Sequence, residues 1–166
     1  MVTAKLLPEQ VTNEYNGNII ALYTFYAIIG MTIVRSLLHM LLHDGGSESI
    51  ASIPIDTYST EAEATVIGIF FLWGLSQLII GVIYFIVAIR YKSLVPLMWL
   101  FFTIEYIFRL LMCFYKPIET NETAPGEVGN FIFIPLGLIM LYLSYQTSSN
   151  ISNSNSKWLE SINASG

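Results

Sequence analysis

Apolar residues gather into four long runs, residues 19–42, 66–89, 94–114 and 131–146, parted by polar segments. About 20 residues of helix, rising 1.5 Å each, cover the roughly 30 Å hydrocarbon core of a bilayer. The first three runs meet that length with room for tilt. The fourth is short and begins beside Pro125, Gly126 and Gly129, so it is expected to open as a turn, to kink at Pro135, or to thin the bilayer locally. Lipid cannot satisfy backbone polar groups, and runs of this length call for helices rather than a barrel. The pattern therefore predicts an all-α protein, a polytopic integral membrane four-helix bundle.

Three segments follow from this pattern: an N-terminal stretch at 1–18, a transmembrane domain at 19–146 and a flexible polar tail at 147–166. Residues 1–18 are not clearly positive and the first run exceeds a signal h-region of about 7–15 residues, so it reads as a retained helix. The tail is rich in serine and asparagine and lacks the apolar content to fold; Trp158, Leu159 and Ile162 are the residues in it suited to the interface. The link between the second and third runs carries Arg90 and Lys92, whereas residues 44–63 contain no lysine or arginine and residues 116–130 contain only Lys116. Positive charge marks the cytoplasmic side, which puts that link inside and, with Lys5 and Lys157, both termini too. Of the sequons at Asn121, Asn150 and Asn163, only Asn121 would then face outward.

Composition agrees. The 166 residues are 54% hydrophobic and 11% charged, with a mean hydropathy of +0.62, too little polar surface to coat a soluble globule. The net charge of −5 comes from acids outside the apolar runs and reads as solvated loops. No basic patch with interleaved aromatics is present, which sets nucleic acid aside. Cys113, the single cysteine, has no intramolecular partner and reads as an inert thiol in an apolar run.

The charges inside the runs narrow the search for a site. Arg35 lies in the first; Glu105 and Arg109 lie in the third. A charge in hydrocarbon costs about 2.5–3.5 kcal/mol on insertion scales, so it normally faces a bundle interior, a partner or water. Counting depth along each helix, Arg35, Gln77, Glu105 and Arg109 converge on the midplane and outer half of the membrane. Arg35, His39 and His43 follow at i, i+4 and i+8 along one stripe, and Glu105 and Arg109 share a face with the glutamate N-terminal, the favourable order. Glu105 is able to serve Arg109, Arg35, or both.

Two readings compete for this cluster. It locks the first helix to the third, its charges paired because an unpaired buried charge is ruinous. Alternatively one guanidinium of the two is left over for an anionic or carbonyl-bearing ligand, such as a lipid head group, entering from outside. Two arginines against one glutamate favour the ligand.

The string HMLLH places His39 and His43 at i,i+4, a spacing that presents two imidazoles to one Zn²⁺. Asp44, Glu48, Glu61 and Glu63 would supply the third ligand. No HExxH, second histidine pair or cysteine cluster supports a metal, and haem between helices would need axial ligands on different helices. The plainer reading is interfacial histidines bonded to the acidic loop. Gly74 and Gly81, a heptad apart with Gly68 above them, allow close helix approach, and Trp73 and Trp99 anchor or fill. No Ser-His-Asp set, phosphate-cradling glycine loop or facing carboxylate pair is present; Glu61 and Glu63, after Ser59 and Thr60 as caps, suit a helix N-terminus.

Four short-looped helices with a basic link between the second and third, the run at 61–81 and Arg109 together resemble the DoxX-like group of small bacterial membrane proteins. The resemblance covers the bundle and not the tail. It implies a fold and a bacterial inner membrane more than an activity. Three functions fit the residues. The first is a non-catalytic protein, either a binder of a lipid-like or small anionic ligand or an accessory subunit of a larger membrane complex or homo-oligomer, needing no cofactor. The second is a metal-dependent membrane enzyme or redox protein using the histidine pair with Zn²⁺ or another divalent metal. The third is a small proton-coupled transporter carrying its proton on Glu105, although four helices without an internal repeat leave little room for alternating access.

Overall fold

The computed structural model describes residues 6–145. The tail at 147–166, with Lys157, Trp158 and the sequons at Asn150 and Asn163, lies outside the described residues, as does Lys5. Four α-helices account for most of the chain: α1 (Ile19–Leu41), α2 (Thr60–Arg90), α3 (Val95–Tyr115) and α4 (Pro125–Tyr145). All four are long and apolar enough to cross a membrane, and the described residues contain no strand.

The helix ends follow local chemistry. The Asn18 side chain accepts from Ile20 N–H and Ser59 from Ala62 N–H, each satisfying one donor that the first turn leaves free. Pro96 stands in the first turn of α3, and Pro125 begins α4, where its missing N–H costs nothing. Two boundaries differ from the apolar pattern. Helix α2 starts six residues earlier than its apolar run, because the cap at Ser59 and the acids Glu61 and Glu63 in the first turn suit a helix N-terminus in water. At 31 residues it is about 46 Å long and overshoots a bilayer. Helix α4 likewise starts at Pro125, not in a turn, and continues through Pro135. It reaches 21 residues, so the span expected to be short has full length.

The helices run up and down in order, α1 against α2 and α3 against α4, with α1 also touching α4. The core gathers where α1 meets the others: Ala21, Phe25 and Ile29 of α1, Tyr84 and Ala88 of α2, Val95, Trp99 and Phe102 of α3, and Met140 of α4 are buried together. Trp99 and Phe25 meet at a tilt of 56° with ring centres 5.7 Å apart, and the Trp99 indole donates to the Ala21 carbonyl at 3.3 Å. In a bilayer, lipid chains would be as apolar as these side chains, and close packing and polar contacts would have to hold such a bundle. Glycines deliver the close approach. A Cβ on Gly74 would stand 2.9 Å from His39 Cβ and 3.0 Å from the Ser36 carbonyl, and one on Gly81 would stand 3.0 Å from Ile33. A Cβ on Gly137 would collide with Thr103 of α3. Gly68, by contrast, faces open space and has no part in the packing expected of it.

Helices α2 and α3 are joined by the tight link at 91–94, yet beyond it they touch little. The seam between them is closed at mid-height by polar side chains and left open below.

Candidate functional site

Four residues that the sequence placed at one depth do meet. On α1, the Arg35 guanidinium donates to the Gln77 Oε1 of α2 at 2.7 Å and to the Tyr106 hydroxyl of α3 at 3.0 Å. Gln77 Nε2 donates onward to Glu105 Oε1 at 3.0 Å. The same oxygen accepts from Arg109 Nε at 2.9 Å and from an Arg109 terminal nitrogen. The orientation of the Gln77 amide is forced, because a guanidinium only donates and an ionised carboxylate only accepts. One chain of bonds thus ties α1, α2 and α3 together.

The pairing is unequal. Glu105 and Arg109 form the ion pair and remain about a fifth exposed, at 23% and 22%. Glu105 does not touch Arg35 directly; Gln77 stands between them. Among the described residues Arg35 meets only neutral acceptors, and its buried Nε has no partner. The extra positive charge of the cluster therefore sits on Arg35. Aromatic faces offset part of the missing carboxylate. Arg109 lies 4.8 Å from the Trp73 ring centre and 5.5 Å from that of Tyr106, with Arg35 5.9 Å from Trp73, all within cation–π range.

Trp73 and Tyr106 are members of the site that the charge pattern alone missed. Spacing carried a signal: Trp73 lies four residues before Gln77 and Tyr106 three before Arg109, so each shares a helix face with a polar residue already singled out. Thr103 is also buried, but it bonds to the Trp99 carbonyl of its own helix.

The residues considered for a metal are not drawn together. His39 is buried; its Nδ1 lies 2.8 Å from the Gly45 carbonyl, and its ring packs on Trp73 and Phe70 at 4.6 and 5.6 Å. The stripe that begins at Arg35 ends there, because α1 stops at Leu41 and His43 is exposed. Asp44 turns its carboxylate inward on the loop, accepting from the N–H groups of Gly46, Glu48 and Ser49 at 2.9, 3.2 and 2.8 Å. Burial opposes its charge, but the bonds from Ser49, Gly46 and Glu48 outweigh that and hold its carboxyl down at about 2. Glu61 and Glu63 stay in the first turn of α2. Among the described residues no group of three histidines, cysteines or acids is placed to hold a metal ion. His39 instead fastens the α1–α2 loop to the bundle, with Gly45 and Gly46 at positive φ turning the chain over it. Cys113 donates to the Arg109 carbonyl one turn back.

Below the polar cluster, the open seam between α2 and α3 forms a cleft of about 320 Å³. Its walls are Ile80, Ile83, Met98 and Phe101, with Tyr84, and it ends at Gln77 and Glu105. Ile83 and Phe101 stand half exposed on its rim. The site thus combines an apolar slot, open sideways, with a carboxylate and an amide at its end.

No protein-family model matches the chain, and neither curated proteins nor solved structures gave a similar one.

Proposed function

We propose that the chain is a four-span integral membrane protein with both termini in the cytoplasm, and that it binds a lipid-like ligand without catalysing a reaction. The observation that carries this reading is the cleft between α2 and α3. A slot whose rim residues face outward from a bundle that spans the bilayer opens onto acyl chains, and its volume lies at the lower edge of small-molecule sites. The polar groups at its end give an apolar molecule one fixed point of attachment. The orientation is supported by Arg90 and Lys92 at the α2–α3 link, against an outer loop at 42–59 with no basic residue except His43.

The network above the cleft has the makings of a rigid support, since it fixes Gln77 and Glu105 from behind through Arg35, Arg109 and Tyr106. Native mass spectrometry of protein solubilised in mild detergent, with elemental analysis of the same sample, tests the reading. A retained small amphiphile, lost when Ile83 is replaced by tryptophan, is the expected result. Stoichiometric metal, or a protein that carries only annular phospholipid in both forms, would refute it.

A further inference from the structure

The cleft holds two polar groups that the fold leaves unused. Tyr84 is 3% exposed and lines the cleft, yet among the described residues its hydroxyl has no hydrogen-bond partner. Its ring is buried against Phe25 of α1, centres 5.3 Å apart, but its oxygen keeps accessible surface, since among the described residues Arg35 Nε alone is an enclosed side-chain atom without a partner. A tyrosine hydroxyl facing an apolar slot calls for a partner. The second group is Glu105, which spends Oε1 on Gln77 and Arg109 and among the described residues has no donor on Oε2. One group is free to donate and the other can only accept.

We infer that the cleft receives a neutral single-chain amphiphile by its hydroxyl group, which accepts from the Tyr84 phenol and donates to Glu105 Oε2. A hydroxyl is the smallest group able to do both. An anionic head would set its charge against the Glu105 carboxylate, because the surplus guanidinium, Arg35, is turned toward Gln77 and Tyr106 and does not line the cleft. An ammonium would add to a cluster already carrying one excess positive charge. A volume of about 320 Å³ suits one chain rather than the two of a phospholipid. In hydrocarbon the hydroxyl has no other partner, which strengthens its preference for this spot. The inference rests on the reading of the chain as a binder of a lipid-like ligand and adds the chemical class of that ligand.

The test uses the full chain in nanodiscs, with a diazirine-bearing decanol as photoprobe and decan-1-ol, decanoate and decylammonium as competitors. Saturable labelling within the cleft, at Ile83, Met98 or Phe101, is expected, with decan-1-ol competing about tenfold better than either charged chain. Tyr84→Phe, which breaks no bond of the free protein, should weaken decanol severalfold, and Ile83→Trp should abolish cleft labelling while the helical spectrum stays unchanged. If decanoate or decylammonium competes as well as decanol, or Tyr84→Phe binds as tightly as the parent, the hydroxyl assignment fails while a lipid-like ligand stands. Labelling that does not saturate and spreads over all outward faces overturns both and leaves the cleft to lipid or water.

Discussion

The bond order Arg35–Gln77–Glu105–Arg109 makes a sharper claim than proximity does: beyond through-space attraction, Arg35 and Glu105 are joined through Gln77. Glu105→Gln keeps the shape, removes the charge, and leaves two guanidiniums without a carboxylate. Breaking a buried pair costs about 3–5 kcal/mol; with Glu105 23% exposed, about 2–3 kcal/mol is expected. Hydrogen bonds to charged groups contribute about 1.5–3 kcal/mol in water-soluble proteins, and double-mutant cycles within membranes average nearer 0.6. The Glu105–Arg109 contact, with two N–H donors on one oxygen, should therefore show a coupling near or above about 1 kcal/mol. The cycle between Arg35→Met and Glu105→Gln should give about half that. In a Gln77→Leu background the Arg35–Glu105 coupling should fall to what through-space attraction leaves, while the Glu105–Arg109 coupling survives in full. Reversible unfolding in mixed micelles, titrated with sodium dodecyl sulfate, measures each corner. An Arg35–Glu105 coupling undiminished without Gln77, or additivity between Glu105 and Arg109, would falsify the bond order.

Further outcomes follow from the packing and the α1–α2 loop. Gly74→Ala should lower stability by about 1–3 kcal/mol, since its Cβ meets the Ser36 backbone and His39; Gly30→Ala, which faces open space, should be neutral or slightly stabilising, and the two melting temperatures in detergent separate the cases. Asp44→Ala should free the Gly46, Glu48 and Ser49 amides, read as a loss of hydrogen-exchange protection confined to the loop at 42–59. Because the Asp44 carboxyl is held at about 2, below the ordinary aspartate value of about 3.9, its ionised form contributes on the order of 2 kcal/mol of stability, fully present above about pH 5. That contribution should fade as pH falls from about 5 through 2, and Asp44→Asn should remove the fade; an unchanged acid profile in the variant would refute the assignment. Trp99→Ala, which empties the contact with Phe25 and Phe102, should cost about 3–5 kcal/mol in the same micelle assay.

The four apolar helices were legible in the chain because their signal is one-dimensional: run length against bilayer thickness needs no partner. Relative height along the bundle was legible for the same reason, since rise per residue converts position into height, and it set Arg35, Gln77, Glu105 and Arg109 at one level, where they bond. Hydropathy alone sets the starts of α2 and α4 late: for α2 the caps Ser59 and Thr60 with Glu61 and Glu63 marked the true start, whereas the proline at the first position of α4 acts on a polar turn that hydropathy passes over. Only the tertiary structure decided who bonds to whom. Rotation about each helix axis set Gln77 between Arg35 and Glu105, turned Trp73 and Tyr106 onto the guanidiniums, and aimed His39 at Gly45 rather than at His43 and the acids. The cleft was out of reach of sequence altogether, because a gap between α2 and α3 records what two helices fail to contact, and no residue states that by itself.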